Sequence, residues 1–92
     1  MLADDAEFLT MFGRRVRVLR TARGLSQEEL ADLAGMTRNK ISSIERAAQD
    51  PGVTVVRRLS LALAVPVSVL VDEEADSERL ALRAVDDRQP GR

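Results

Sequence analysis

The sequence predicts an all-α protein. Apolar residues recur at helical spacing along most of the chain, no stretch alternates apolar and polar residues at period two, and capping residues and glycines punctuate the periodic segments. A first helix is expected from about Glu7 to Ala22, where Phe8, Met11, Phe12, Val16 and Leu19 form an apolar stripe and arginines fill the other faces; Gly24 stops it. Ser26, followed three residues later by Glu29, is a capping box that opens a second helix. Leu30, Ala31, Leu33 and Ala34 give that helix its apolar face, and Gly35 ends it. Thr37 caps a third helix whose buried positions are Ile41 and Ile44. The polar stretch Arg46–Gly52 closes on Pro51-Gly52, and a fourth helix runs from Val53 to Ala64 with Val56, Leu59, Ser60 and Leu63 inward. Pro66 opens a short fifth helix, Val67–Asp72. Asp72–Glu78 reads as an acidic linker, 78–85 as two further helical turns, and 86–92 as a frayed end. One folded domain, residues 1–72, is therefore expected, followed by an acidic linker and tail over 73–92.

Composition narrows the chemistry. A chain of 92 residues buries about 60–65% of its unfolded surface, enough for one modest core. It contains no Cys and no His, which excludes disulfides, thiol chemistry, Cys/His zinc sites and His-based acid–base or triad mechanisms. Neither a phosphate-cradling glycine loop nor an inward-facing carboxylate pair is present, so an enzyme is rejected and no cofactor or metal is expected. The acidic run 72–78 lacks the residue order of a calcium loop. Two aromatic residues, Phe8 and Phe12, are too few for a base-stacking platform and read as core. Met1–Phe8 lacks the basic start and apolar run of a signal peptide, and no apolar span approaches membrane length. A cytoplasmic protein with no membrane partner is expected.

The net charge of −1 hides a segregation. Residues 10–58 carry ten Lys or Arg against five acids, whereas 1–9 hold three acids and 72–92 hold seven acids against four Arg. A basic centre between acidic ends steers polyanions in a way the sum does not reveal.

The most informative spacing lies within Gln27–Ile44. Two short helices crossing steeply must touch closely, so a small residue, Ala31, sits beside Leu30 at the crossing. The corner requires positive φ, which Gly35 supplies. Ile41 and Ile44 plug the third helix onto the first two, leaving Arg38, Asn39, Ser42, Ser43 and Arg46 facing outward.

This stretch resembles the helix-turn-helix of the Cro/cI-type (XRE) family, which includes the lambdoid phage repressors. The matching residues are Gly24-Leu25-Ser26-Gln27-Glu28-Glu29-Leu30-Ala31, Gly35 and Ile41–Ile44-Glu45, flanked by Val16, Leu19 and Arg20 before and by Pro51, Leu59, Leu63, Val65, Pro66 and Leu70 after. The resemblance covers about residues 9–72 and implies a five-helix, lambda-repressor-like DNA-binding domain with Thr37–Arg46 as recognition helix. It implies base contacts from Arg38, Asn39 and Ser43, with Ser42 and Thr37 beside them; Arg suits guanine and Asn suits adenine in the major groove. It gives Gln27 a phosphate contact at a helix N-terminus, where anions are favoured, with Arg46, Lys40 and Arg17 as further phosphate contacts. Arg20 and Glu45 match a structural ion pair between the first and third helices.

Two departures from the family pattern stand out. The loop after the third helix reads Ala47-Ala48-Gln49-Asp50 where members often carry Gly and then Lys or Arg, so the phosphate clamp is depleted; Arg14, Arg15 and Arg17 are candidates to compensate. Leu61 and Val69 stand where polar residues are usual, and with Val55, Val67 and Val71 they give the C-terminal half surplus apolar surface. A homodimer interface around Leu61, Val67 and Val69, or docking of Leu80, Leu82 and Val85 over it, would cover that surplus. The expected function is a transcriptional regulator that binds double-stranded DNA at a palindromic operator as a homodimer. The alternative is an antitoxin-type protein whose C-terminal region binds a partner protein while the same module autoregulates.

Overall fold

A computed structural model describes residues 3–74, and among them there are five helices and no strands. They are α1 (Ala3–Ala22), α2 (Gln27–Ala34), α3 (Arg38–Glu45), α4 (Val53–Leu63) and α5 (Val67–Val71). The expected turns over 78–85, with Leu80, Leu82 and Val85, lie outside the described residues.

α1 starts four residues before the expected Glu7. The apolar stripe begins only at Phe8, but Asp4 and Asp5 sit in the first turn, where carboxylates complement the helix dipole. The buried face is also rotated from the expected stripe. Leu9, Phe12, Val16 and Leu19 are buried, whereas Phe8 and Met11 are half-exposed at its edge. The pivot is Gly13: a Cβ there would fall well inside contact distance of the Ile44 carbonyl oxygen and 3.0 Å from that of Glu45. α1 and α3 thus pack backbone to backbone.

The local signals of α2 and α3 act as caps. Ser26 accepts from the Glu29 amide at 3.0 Å while the Glu29 carboxylate accepts from the Ser26 amide at 2.9 Å. Those hydrogen bonds to Ser26 hold the Glu29 carboxyl below its ordinary range. Thr37 Oγ1 accepts from the Lys40 amide at 3.1 Å. At the corner Gly35 is left-handed at φ 69°, and the Met36 amide reaches back to the Ala31 carbonyl at 2.9 Å. The same closing geometry ends α3 and α4, but there alanines take it: Ala47 and Ala64 both have φ 56°. Ala48 N then donates to Ser43 O at 2.9 Å, and Val65 N to Ser60 O at 3.0 Å.

The core draws on every helix: Phe12, Val16 and Leu19, then Leu30, Ala31 and Ala34, then Ile41 and Ile44, then Leu59 and Leu63, closed by Val65 and Leu70. Ser60 is buried as expected, its hydroxyl donating to the Arg57 carbonyl at 2.7 Å. Leu33 departs from its expected place on the buried face of α2. It is 62% exposed, because an eight-residue helix wedged between α3 and α4 buries one narrow stripe, filled by Leu30, Ala31 and Ala34.

Arg15 is the largest fully buried side chain, and its location rules out the expected compensating role on the surface. Its guanidinium turns away from solvent to donate to the carbonyls of Val69 at 3.2 Å and Asp72 at 2.7 Å. These carbonyls at the end of α5 have no partner within a five-residue helix, so Arg15 caps α5 from α1. Burial pulls its pKa down, against the opposing pull of Asp72 and Glu73.

Candidate nucleic-acid interface

α3 is fixed from behind and open in front. Ile41 and Ile44 are buried on its inner side, and the backbone contact at Gly13 sets its depth. At its C-terminal end Glu45 is gripped by Arg20, with Nε to Oε2 at 2.6 Å and Nη2 to Oε1 at 3.1 Å. The remaining Arg20 nitrogen donates to the Leu25 carbonyl at 2.8 Å, so one guanidinium ties together α1, α3 and the loop before α2. Both side chains are largely withdrawn from water, Arg20 to 12% and Glu45 to 5% exposure. Removing either partner would strand a desolvated charge, at a cost of about 3–5 kcal/mol.

On the outer side Arg38 and Asn39 are exposed in the first turn of α3, with Ser42 and Ser43 half-exposed one turn on and Arg46 exposed at the end. Ser42 Oγ accepts from Arg46 Nε at 3.3 Å. Thr37 is exposed, but a lone pair of its hydroxyl is committed to capping. Lys40 reaches back along the helix to donate to Gln49 Oε1 at 2.7 Å, bracing the loop after α3. Asp50 in that loop accepts from the Gly52 amide at 3.0 Å, which accounts for the acid by turn chemistry.

Gln27 begins α2 and donates from Nε2 to Glu45 Oε1 at 3.2 Å, joining the Arg20–Glu45 pair. An open depression lined by Arg17, Arg20, Gln27, Ser42, Glu45 and Arg46 brings together Gln27, Arg17 and Arg46. Lys40 is not among its lining residues, nor are Arg38 and Asn39, which lie at the other end of α3. The result is a row of polar and cationic side chains along one rigid helix, with cations and a helix N-terminus beside it. Such a surface matches a groove edge flanked by phosphates.

The sequence alone did not reveal the close approach at Gly13 or the capping of α5 by Arg15. A lone glycine inside a helical pattern was the available signal for the first. For the second there was none, since its partners lie 54 and 57 residues away.

Residues 11–73 match the family model described as a helix-turn-helix domain. The chain belongs to the helix-turn-helix family. The relatives it matches are named as HTH-type transcriptional regulators and phage repressors. It is 38% identical over 69 residues to the HTH-type transcriptional regulator SinR of Bacillus subtilis, covering 74% of this chain and 62% of SinR. It is 34% identical over 62 residues to the immunity repressor protein of Bacillus phage phi105, covering 67% of this chain and 43% of the repressor. This helix-turn-helix chain thus spans less than two thirds of the length of these relatives. Among solved structures it superposes on the restriction-modification controller protein C.AhdI of Aeromonas hydrophila with a TM-score of 0.63. Identity there is 41%, covering 64% of this chain and 89% of C.AhdI. No helix among the described residues is long and apolar enough to cross a membrane.

Proposed function

We propose that this helix-turn-helix chain is a sequence-specific, double-stranded DNA-binding transcriptional regulator that works in the cytoplasm as a homodimer on a two-fold symmetric operator. The observation that carries the reading is the solvent face of α3. Arg38 and Asn39 stand exposed at its N-terminal end, while its other side is fixed by Ile41, Ile44 and the Arg20–Glu45–Gln27 network. A helix locked in this way presents side chains at fixed positions, which base reading requires. Arg38 and Asn39 read base edges, with Ser43 and Ser42 following one turn on. Thr37 caps the helix and contributes to the face through its remaining donor. Arg46 and Arg17 hold phosphates, Gln27 does so beside Glu45, and Lys40 supports the clamp loop through Gln49. Residues 1–72 form the DNA-binding unit, with 73–92 as its tail.

Leu61 and Val67 are the dimer residues we favour, at 65% and 41% exposure on α4 and α5. Val69 is half-buried against the core and joins that surface with its remaining exposed area.

The proposal separates two kinds of arginine. Arg38→Ala is expected to lose about 1–3 kcal/mol on the preferred site and to relax preference at one base position, whereas Arg46→Ala is expected to weaken all sequences alike and flatten the salt slope. Fluorescence anisotropy with a selected site and with random duplex, each titrated over salt, reads both. Equal losses on both duplexes for Arg38→Ala would refute its base-reading role.

A further inference from the structure

Away from the DNA-facing helix, the N-terminal half of α1 leaves a groove of about 280 Å³ lined by Asp5, Phe8, Leu9, Phe12, Asp50, Pro51 and Val56. Its walls are apolar. Phe8 is half-exposed and stacks on Phe12 at a ring separation of 6.5 Å, while Pro51 is buried beneath. Its charged lining residues are two carboxylates, Asp5 and Asp50. Such a site suits an apolar segment flanked by cations.

The chain itself carries one. Residues 79–83 read Arg79-Leu80-Ala81-Leu82-Arg83, three apolar residues between two arginines. The described chain ends close to α1 as well, because Arg15 holds the Asp72 carbonyl at 2.7 Å. Phe8 lies seven positions before Arg15, on the same helical face and about 10 Å along the axis. The six residue steps from Glu74 to Leu80 span up to about 20 Å when extended, which covers that distance. A tethered segment also acts at an effective concentration in the millimolar range, which an untethered partner must match in bulk.

We propose that the segment 79–83 of the same chain docks in this groove, its apolar residues suited to the apolar walls and its two arginines to the carboxylates of Asp5 and Asp50. This surface is distinct from the one on α4 and α5 that sequence reasoning proposed for the same residues. It also places the tail against the Asp50–Pro51 loop that follows α3.

The absence of cysteine allows a single nitroxide to be placed on the full chain through Asp86→Cys, just beyond the segment. Amide signals of residues 5–12, of Asp50 and of residues 52–56 are expected to be lost by paramagnetic broadening, while those of Glu28 and Asp32 on α2 persist. Adding Leu80→Asp/Leu82→Asp is expected to restore the lost signals. Uniform broadening, no broadening, or broadening that survives the double substitution would overturn the proposal. So would the same broadening in isotope-labelled chains without the nitroxide when they are mixed with unlabelled chains that carry it, which would assign the tail to a second copy.

Discussion

Ala47 and Ala64 occupy left-handed backbone at φ 56°, where a Cβ costs roughly 1–2 kcal/mol. Each sits where a helix turns back on itself, the role that Gly35 plays after α2. The corner at Gly35 was legible in the sequence because the residue type announces the conformation; an alanine announces nothing of the kind. At Ala47, just past α3, glycine would remove the strain at an entropic cost of about 0.5–1 kcal/mol. Ala47→Gly is therefore expected to raise stability by about 0.5–1 kcal/mol in urea denaturation. A loss of stability would mean that the half-buried methyl group packs well enough to outweigh the strain.

Two contacts of α1 decide how the helices meet. Gly13 carries the helix-interior penalty of about 1 kcal/mol relative to alanine, which sequence reasoning alone would expect Gly13→Ala to relieve. The backbone of α3 stands where the new methyl would go, so the net effect is expected to be a loss of about 1–2 kcal/mol. A thermal or urea melt decides the sign, and a gain in stability would contradict the backbone-to-backbone approach of α1 and α3. Arg15 binds α5 to α1 through two carbonyls. Arg15→Met keeps much of the side-chain volume but leaves those carbonyls without their charged donor, at about 2–3 kcal/mol. Hydrogen exchange is expected to show amides of α5 losing protection before those of α2 and α3. Unchanged protection in α5 would sink the capping role. The capping box and the Thr37 cap were legible because they are written within four consecutive residues; these two contacts were not, since each depends on residues brought in by the fold. The same distinction holds at the candidate site. The outward positions of Arg38 and Asn39 follow from helix period and the two isoleucines, but the engagement of Lys40 with Gln49 and of Gln27 with Glu45 required the packed structure.

On the scale of the whole molecule, a chain of net charge −1 gathers its cations over residues 10–58 and leaves acids at both ends. The fold uses only part of that basic stretch for a surface: Arg15 and Arg20 turn inward to structural work, while Arg17, Arg38 and Arg46 stay outside. Non-specific affinity is accordingly expected to be modest and only shallowly dependent on salt, leaving discrimination to the first turn of α3. The most direct measurement is selection from sheared genomic DNA at physiological salt, run in parallel with the wild type and with Arg38→Ala/Asn39→Ala. We predict that the wild type recovers a few fragments sharing a motif repeated about a two-fold axis, and that the double variant, still folded by circular dichroism, recovers none of them. Recovery of the same fragments by both proteins would contradict base reading by α3, and a single unrepeated motif would contradict the homodimer.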